Sequence, residues 1–293
     1  MQAVEDEVVA AEVSVEEWAP GGEDRGWLSL AIGLAGFLLG TVPLLAFAVR
    51  QGIEQAELTN GFRLDVQIFS YDHWTRFAAF VLMAAFTALG LRWARRRQKV
   101  PARPAVFVLA VGMLLLVVPA VTFLTGRPSS AGPTTAVGAG MLVVYVLYAA
   151  LVFWLLTSRS TVAFTVGAGL LFLPGMYWLN GLAMAASMDA GALVASYTPF
   201  LMAALMGLTL GRCGWRTGPR LAAWATVTAL MTLGYAGQST AEFALASGQP
   251  EYVGSVFQMA LQFSLLPAGI ALLVGALVAS VEGRRRERVV DAS

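Results

Sequence analysis

The sequence predicts an all-α polytopic membrane protein with eight transmembrane helices and both termini in the cytoplasm. Three observations lead to this prediction: the apolar composition, the spacing of the apolar segments, and the unequal distribution of basic residues between alternate connections. Of the 293 residues, 58% are hydrophobic and 13% are charged. Soluble domains have about half apolar and about a quarter charged residues, so the composition alone favours a membrane protein.

Eight apolar segments are long enough to cross a membrane, which requires about 20 mostly apolar residues. The predicted helices are 27–49, 77–93, 105–124, 136–156, 161–188, 192–210, 221–245 and 252–281. Together they form one transmembrane domain over residues 27–281. An acidic tail, residues 1–26, precedes it and is expected to be disordered, and a basic tail, residues 282–293, follows it.

The basic residues predict the orientation, because they are retained on the cytoplasmic side of a membrane. With the N-terminus inside, 15 basic residues fall in inner segments and 4 in outer loops. The bias has the same direction at every helix pair. It predicts cytoplasmic tails and one long external loop over residues 50–76. Arginine outnumbers lysine by 18 to 1 and the chain is rich in Ala, Gly and Val, a composition that suggests a GC-rich genome. We expect the protein to lie in the inner (plasma) membrane of a bacterium.

Two weak internal similarities relate the first four predicted helices to the second four. Residues 80–93 resemble residues 200–215, and residues 33–40 resemble residues 166–175. Because each half has an even number of helices, the similarities suggest a 4+4 parallel repeat about an axis along the membrane normal. Chance similarity between apolar segments is the alternative. Glycine pairs at GxxxG spacing, Gly36 with Gly40 and Gly207 with Gly211, favour close helix packing.

Several kinds of chemistry are excluded by composition. The single cysteine, Cys213, rules out an intramolecular disulfide, and the single histidine, His73, rules out a bis-histidine haem or a histidine-based metal cluster. Neither a Walker GxxxxGK[ST] sequence nor a GxSxG elbow is present. We therefore expect no cofactor and no metal. The near-zero net charge of +1 gives no reason to expect a nucleic-acid partner.

Polar residues in the outer halves of the last four predicted helices are candidates for substrate binding. Glu242, Gln238 and Tyr235 fall on one helical face. The full candidate set is Glu242, Gln238, Tyr235, Gln258, Gln262, Asn180 and Tyr197. These residues would line an outward-facing, mostly apolar cavity. In the alternative reading, Glu242 lies at the outer boundary, the glutamines join helices, and the tyrosines belong to the interfacial aromatic belt.

The external loop contains FRLDVQIFSYDHWTR, residues 62–76, in which apolar and polar residues first alternate. The alternation predicts a short strand or an extended segment on the membrane surface. Asp65, Asp72, His73 and Trp74 are the candidate residues of a lid over the cavity. The alternative is that this stretch is only the solvated end of a helix.

The function that these observations favour is transport or lipid handling. Ionisable residues are scarce at mid-membrane depth, so the protein is not obviously ion-coupled. A non-catalytic subunit or scaffold, with a membrane or cytoplasmic protein partner, is the second candidate. A membrane-embedded enzyme that uses Glu242, or Asp72 with His73, is the third, and an absence of catalysis is favoured. Membrane lipids are expected partners in every case.

Overall fold

The computed structural model describes residues 25–59, 73–97, 100–125, 132–247 and 249–290, which are almost entirely helical and contain no strand. The α-helices are α1 (Gly26–Thr59), α2 (His73–Arg97), α3 (Arg103–Thr125), α4 (Gly132–Thr157), α5 (Thr161–Gly169), α6 (Phe172–Ala186), α7 (Met188–Cys213), α8 (Gly218–Ala229), α9 (Tyr235–Ser247) and α10 (Val253–Val290). For this part of the chain the all-α prediction is confirmed.

Five of the described helices contain stretches that are long and apolar enough to cross a membrane. These stretches are Gly26–Arg50, Trp74–Arg97, Gly140–Thr157, Asp189–Cys213 and Val253–Gly283. The consecutive helices α5 and α6 meet the same criteria together and give a sixth, bent by 45°. Many large apolar side chains on these helices face outward, including Leu147, Trp154 and Phe263. Such an extensive apolar exterior is compatible with a multi-pass membrane protein.

The helices pack in a similar order in the first half of the chain, which comprises α1 to α4, and in the second half, which comprises α5 to α10. In the first half, α1 packs against α2 and α3, and α2 packs against α4. In the second half, α6 packs against α7, α5 packs against α8, and α7 packs against α10. The halves meet where α6 contacts α1 and α2 and where α5 contacts α4. The apolar stretch of α2 is 72% buried, so this helix is central to the bundle.

Glycines allow the closest helix contacts. Gly36 and Gly40 of α1 lie against Thr87 and Met83 of α2. A Cβ atom at Gly207 of α7 would lie 2.7 Å from the carbonyl oxygen of residue 271 in α10. That distance is too short for any side chain, and the backbones can therefore approach only because glycine is present.

The predicted helix 161–188 is divided by the break between α5 and α6. Proline explains the position of the break. Pro174 has no N–H group, and its ring would clash with the carbonyl of Leu170 four residues earlier. The Leu170 carbonyl therefore has no intrahelical partner, and the hydroxyl of Tyr148 in α4 donates a hydrogen bond to it at 2.7 Å. A side chain from a neighbouring helix thus satisfies the carbonyl that proline leaves unpaired.

The predicted helix 221–245 contains a π-helical turn, Leu230–Gly234, between α8 and α9. This turn contacts α6 and α10. Since α9 begins after it and is regular, the residues from Tyr235 to Glu242 keep the helical spacing that the sequence predicts.

The helix ends differ from the sequence prediction at the external loop. Helix α1 continues to Thr59, so it includes the first ten residues of the predicted loop 50–76, and α2 begins at His73 and includes the last four. The remainder of that loop, with the predicted strand, lies outside the described residues, as does nearly all of the acidic tail 1–26. Helix α10 extends to Val290, into the predicted basic tail.

Candidate functional site

A polar cluster joins α2, α6 and α9. It lies near the end of the bundle at which α2 begins and at which α6 and α9 end. We name it the Glu242 cluster; it consists of Glu242 and Gln238 from α9, Tyr177 from α6 and Trp74 from α2. The hydroxyl of Tyr177 donates a hydrogen bond to Glu242 Oε1 at 2.7 Å. Gln238 Nε2 donates to the same oxygen at 2.9 Å. The Gln238–Glu242 contact within α9 agrees with the helical spacing of these residues in the sequence. The contact with Tyr177 of α6 is visible only in the structure.

The burial of the cluster distinguishes it from an ordinary helix surface. Gln238 is only 9% exposed, and Glu242 and Tyr177 are half-buried. Among the described residues, no hydrogen-bond donor reaches the buried Gln238 Oε1. A buried acceptor without a donor costs on the order of 1–3 kcal/mol, so this position is unusual for a purely structural side chain.

Stacked aromatic rings connect the Glu242 cluster to the break between α5 and α6. Trp74 stacks on Tyr177 with ring centroids 5.4 Å apart and an interplanar angle of 14°. Phe77 contacts Trp74 edge-on at 6.1 Å and Tyr148 at 5.0 Å. Tyr148 is also the residue that donates to the Leu170 carbonyl. The aromatic residues therefore form a continuous packed row from the cluster to the helix break.

The other predicted site residues make different contacts from those of the Glu242 cluster. The side chains of Asn180 and Thr198 are within hydrogen-bond distance, at 2.9 Å, and join α6 to α7. Tyr235 is half-buried against the apolar core of the second half. Tyr197 is 65% exposed, and Gln258 and Gln262 are exposed on α10. The structure thus divides the predicted set into four groups: the cluster residues Glu242 and Gln238, the helix-joining Asn180, the core-packed Tyr235, and the outward-facing Tyr197, Gln258 and Gln262.

The predicted lid residues fall mostly outside the part of the chain that the structure describes. Asp65 and Asp72 lie outside it, and so does the side chain of His73, although His73 is the first residue of α2. Trp74 is described, and it packs inside the Glu242 cluster.

An apolar groove lies near the same end of the bundle, between α1 and the last turn of α6. We name it the α1/α6 groove; its volume is about 700 Å³, and it is shallow and open over most of its surface. The groove is lined by Val42, Leu45, Ala46, Val49, Arg50, Ile53, Ala185 and Ala186. Among the side chains that the structure describes, Arg50 is the only charged one that lines the groove, and Arg50 Nη1 donates a hydrogen bond to the Met184 carbonyl at 2.6 Å.

Sequence reasoning missed Arg50 and the partner role of Tyr177. Arg50 was visible only as an outer basic residue, because a groove between two helices has no sequence signature. Tyr177 follows Pro174 by three residues, and the break at that proline sets the direction in which α6 presents its side chains.

At the opposite end of the bundle, Arg92 has a structural role. Its Nη1 donates to the carbonyl oxygens of Leu156 at 3.1 Å and Ser158 at 2.5 Å, at the end of α4. The guanidinium also lies 4.3 Å from the ring centroid of Phe164 in α5. Arg92 therefore ties α2 to α4 and α5. No group of three or more potential metal-ligating His, Cys, Asp or Glu side chains occurs among the described residues.

Comparison with protein-family profiles, curated proteins and solved structures finds no match for this chain. The class of the protein therefore follows from its own features. It is an all-helical protein whose several apolar, membrane-length helices are compatible with multi-pass insertion in a membrane.

Proposed function

We propose that this protein is an integral membrane protein that binds and handles an amphiphilic, mostly apolar substrate at the outer end of its helix bundle. The observation that carries the proposal is the α1/α6 groove, with its aliphatic walls and the cationic side chain of Arg50. A protein that transports or handles an amphiphile needs a site of this kind, in which apolar walls bind the chain of the substrate and a few polar groups orient it.

The occupant that fits the α1/α6 groove best is a lipid. Apolar walls such as those at Leu45 and Val49 suit an acyl chain, and the guanidinium of Arg50 complements a phosphate. The hydrogen bond from Arg50 to the Met184 carbonyl holds that guanidinium against the end of α6. A phospholipid matches both features of the groove, because its phosphate complements the charge of Arg50 and its acyl chains contact the apolar walls.

The proposed topology has eight membrane crossings with both termini in the cytoplasm of a bacterial cell. In this topology, α5 with α6 forms the fifth crossing, α8 with α9 forms the seventh, and α3 forms the third. The distribution of 15 inner and 4 outer basic residues supports this orientation. It puts the Glu242 cluster and the α1/α6 groove at the extracytoplasmic side.

We also propose that the two halves are a 4+4 parallel repeat. The similar packing order of the two halves supports this. A more specific correspondence comes from the similar segments: when LMAA at 82–85 is aligned with LMAA at 201–204, Met83 corresponds to Met202. Gly40 lies against Met83, and Gly175 lies against Met202. Gly40 and Gly175 are the last residues of the similar segments 33–40 and 166–175, so corresponding glycines contact corresponding methionines in the two halves.

Filling the α1/α6 groove tests the proposed function. We expect Ala185→Trp to reduce phospholipid retained by the mildly extracted protein by about tenfold, which is about 1.4 kcal/mol of binding, because the indole occupies the volume of the acyl chain. Native mass spectrometry measures the bound lipid. Ala150→Trp, on an exposed face of α4, is the matched control and should retain lipid as the unmodified protein does.

Equal lipid retention in the Ala185→Trp and Ala150→Trp proteins would contradict the proposal. A stable protein partner without bound lipid in the same spectra would favour the scaffold instead.

A further inference from the structure

The Glu242 cluster contains two acceptor oxygens that its own contacts leave without a donor. Tyr177 and Gln238 both donate to Glu242 Oε1, and no described residue donates to Oε2. The second oxygen is the buried Gln238 Oε1. A carboxylate can accept hydrogen bonds at both oxygens, so Oε2 of the half-buried Glu242 side chain can accept from a ligand. Gln238 Oε1 is fully covered by the protein, so a ligand reaches it only when neighbouring side chains move.

The orientation of the Gln238 amide follows from Glu242. If the amide were rotated by half a turn, its oxygen would face the Glu242 carboxylate, and two acceptors would repel each other. The Nε2 atom must therefore face Glu242, as it does at 2.9 Å, and Oε1 must point elsewhere. The acceptor without a donor is thus a consequence of the Glu242–Gln238 pair.

We propose that the Glu242 cluster binds a primary ammonium group. An ammonium of this type has one positive charge and three N–H donors, which suit a carboxylate oxygen and an amide oxygen together. A quaternary ammonium has no donor and would leave Gln238 Oε1 unsatisfied. The Tyr177 hydroxyl donates to the other carboxylate oxygen, and the Tyr177 ring is held by its stacking on Trp74, so the carboxylate is fixed in position for the ligand.

This inference rests on the proposed function, because it names the polar group of the substrate that the outer end of the bundle handles. The ammonium group has two possible sources: the aminoalkyl headgroup of a phospholipid and a free alkylamine. The experiment therefore has two arms. One compares phosphatidylethanolamine with phosphatidylcholine, and the other titrates free ethanolamine into the protein in phosphatidylcholine nanodiscs.

In the lipid arm, native mass spectrometry of the full chain measures the ratio of bound phosphatidylethanolamine to bound phosphatidylcholine from an equimolar mixture. We expect a ratio of about ten. We expect Glu242→Gln and Gln238→Met each to lower it to about one, because the first removes the negative charge of the carboxylate and the second removes the amide oxygen. Gln262→Met, on the exposed face of α10, is the matched control and should keep the original ratio. Glu242→Gln keeps an oxygen for Tyr177, so it conserves the fold.

In the amine arm, calorimetry measures ethanolamine binding to the unmodified protein and to the Glu242→Gln protein. Binding that is lost in Glu242→Gln supports the proposal with a free amine as the source. A lipid ratio of one combined with no ethanolamine binding overturns it, as does a preference that survives Glu242→Gln. If instead the α1/α6 groove does not bind lipid, the result is different: Ala185→Trp leaves the retained amounts of both lipids unchanged.

Discussion

At the residue scale, Pro174 and Tyr148 together explain how the chain bends inside an apolar bundle. Proline removes one backbone donor, and a tyrosine from another helix satisfies the carbonyl that is left. Such compensation matters more in an apolar surrounding than in water, because an apolar surrounding supplies no water to the backbone.

Tyr148→Phe should therefore destabilise the protein. The substitution leaves the Leu170 carbonyl without its hydrogen bond, at a cost of about 1–3 kcal/mol. We expect a thermal midpoint lower by several degrees in detergent, measured by the loss of helical signal on heating. Tyr197→Phe is the control, because Tyr197 is 65% exposed.

Pro174→Ala in the Tyr148→Phe background should restore part of the lost stability, since alanine supplies the missing N–H group. If Tyr148→Phe and Tyr197→Phe have the same midpoint, the explanation of the break is wrong.

The Glu242 cluster could be predicted from sequence only in part. The four-residue spacing of Gln238 and Glu242 within a regular helix predicts that they meet, and they do. The same reasoning could not separate them from Gln258 and Gln262, which face outward. In a membrane helix both the packed and the lipid-facing sides are apolar, so the pattern that reveals the buried side of a soluble helix is absent.

At the element scale, the ends and interruptions of helices were less predictable than their existence. Each predicted apolar segment corresponds to a described helix or to two consecutive helices. The division at Leu170 depends on Pro174 and on a partner in another helix, and the π turn at Leu230–Gly234 has no proline to mark it. Tertiary contacts therefore set the interruptions, whereas apolar length sets the helices.

The packing of α7 on α10 makes a prediction about glycine substitutions. Alanine is favoured over glycine in helices by about 1 kcal/mol, so Gly269→Ala on the open face of α10 should be neutral or stabilising. Gly207→Ala should have the opposite sign, with a cost of about 1–3 kcal/mol, because its Cβ would lie 2.7 Å from a backbone carbonyl. Thermal unfolding in detergent measures both. Stabilisation by Gly207→Ala would contradict the close approach of the two helices.

At the scale of the whole molecule, the two halves of the bundle meet through α6. This helix contacts α1 and α2 of the first half, supplies Tyr177 to the Glu242 cluster, and forms one wall of the α1/α6 groove. Both candidate binding features therefore lie at the junction between the proposed repeats, which is where transporters built from repeats commonly bind their substrates.

The central claim is that the outer end of the bundle holds an amphiphile, and a cryo-EM structure of the full chain in lipid nanodiscs tests it most directly. We expect eight helices crossing the bilayer and acyl-chain density in the groove beside Leu45 and Ala185, with a headgroup at Arg50. A groove that is closed, or that is filled by a helix of another protein while lipid is absent, would contradict it.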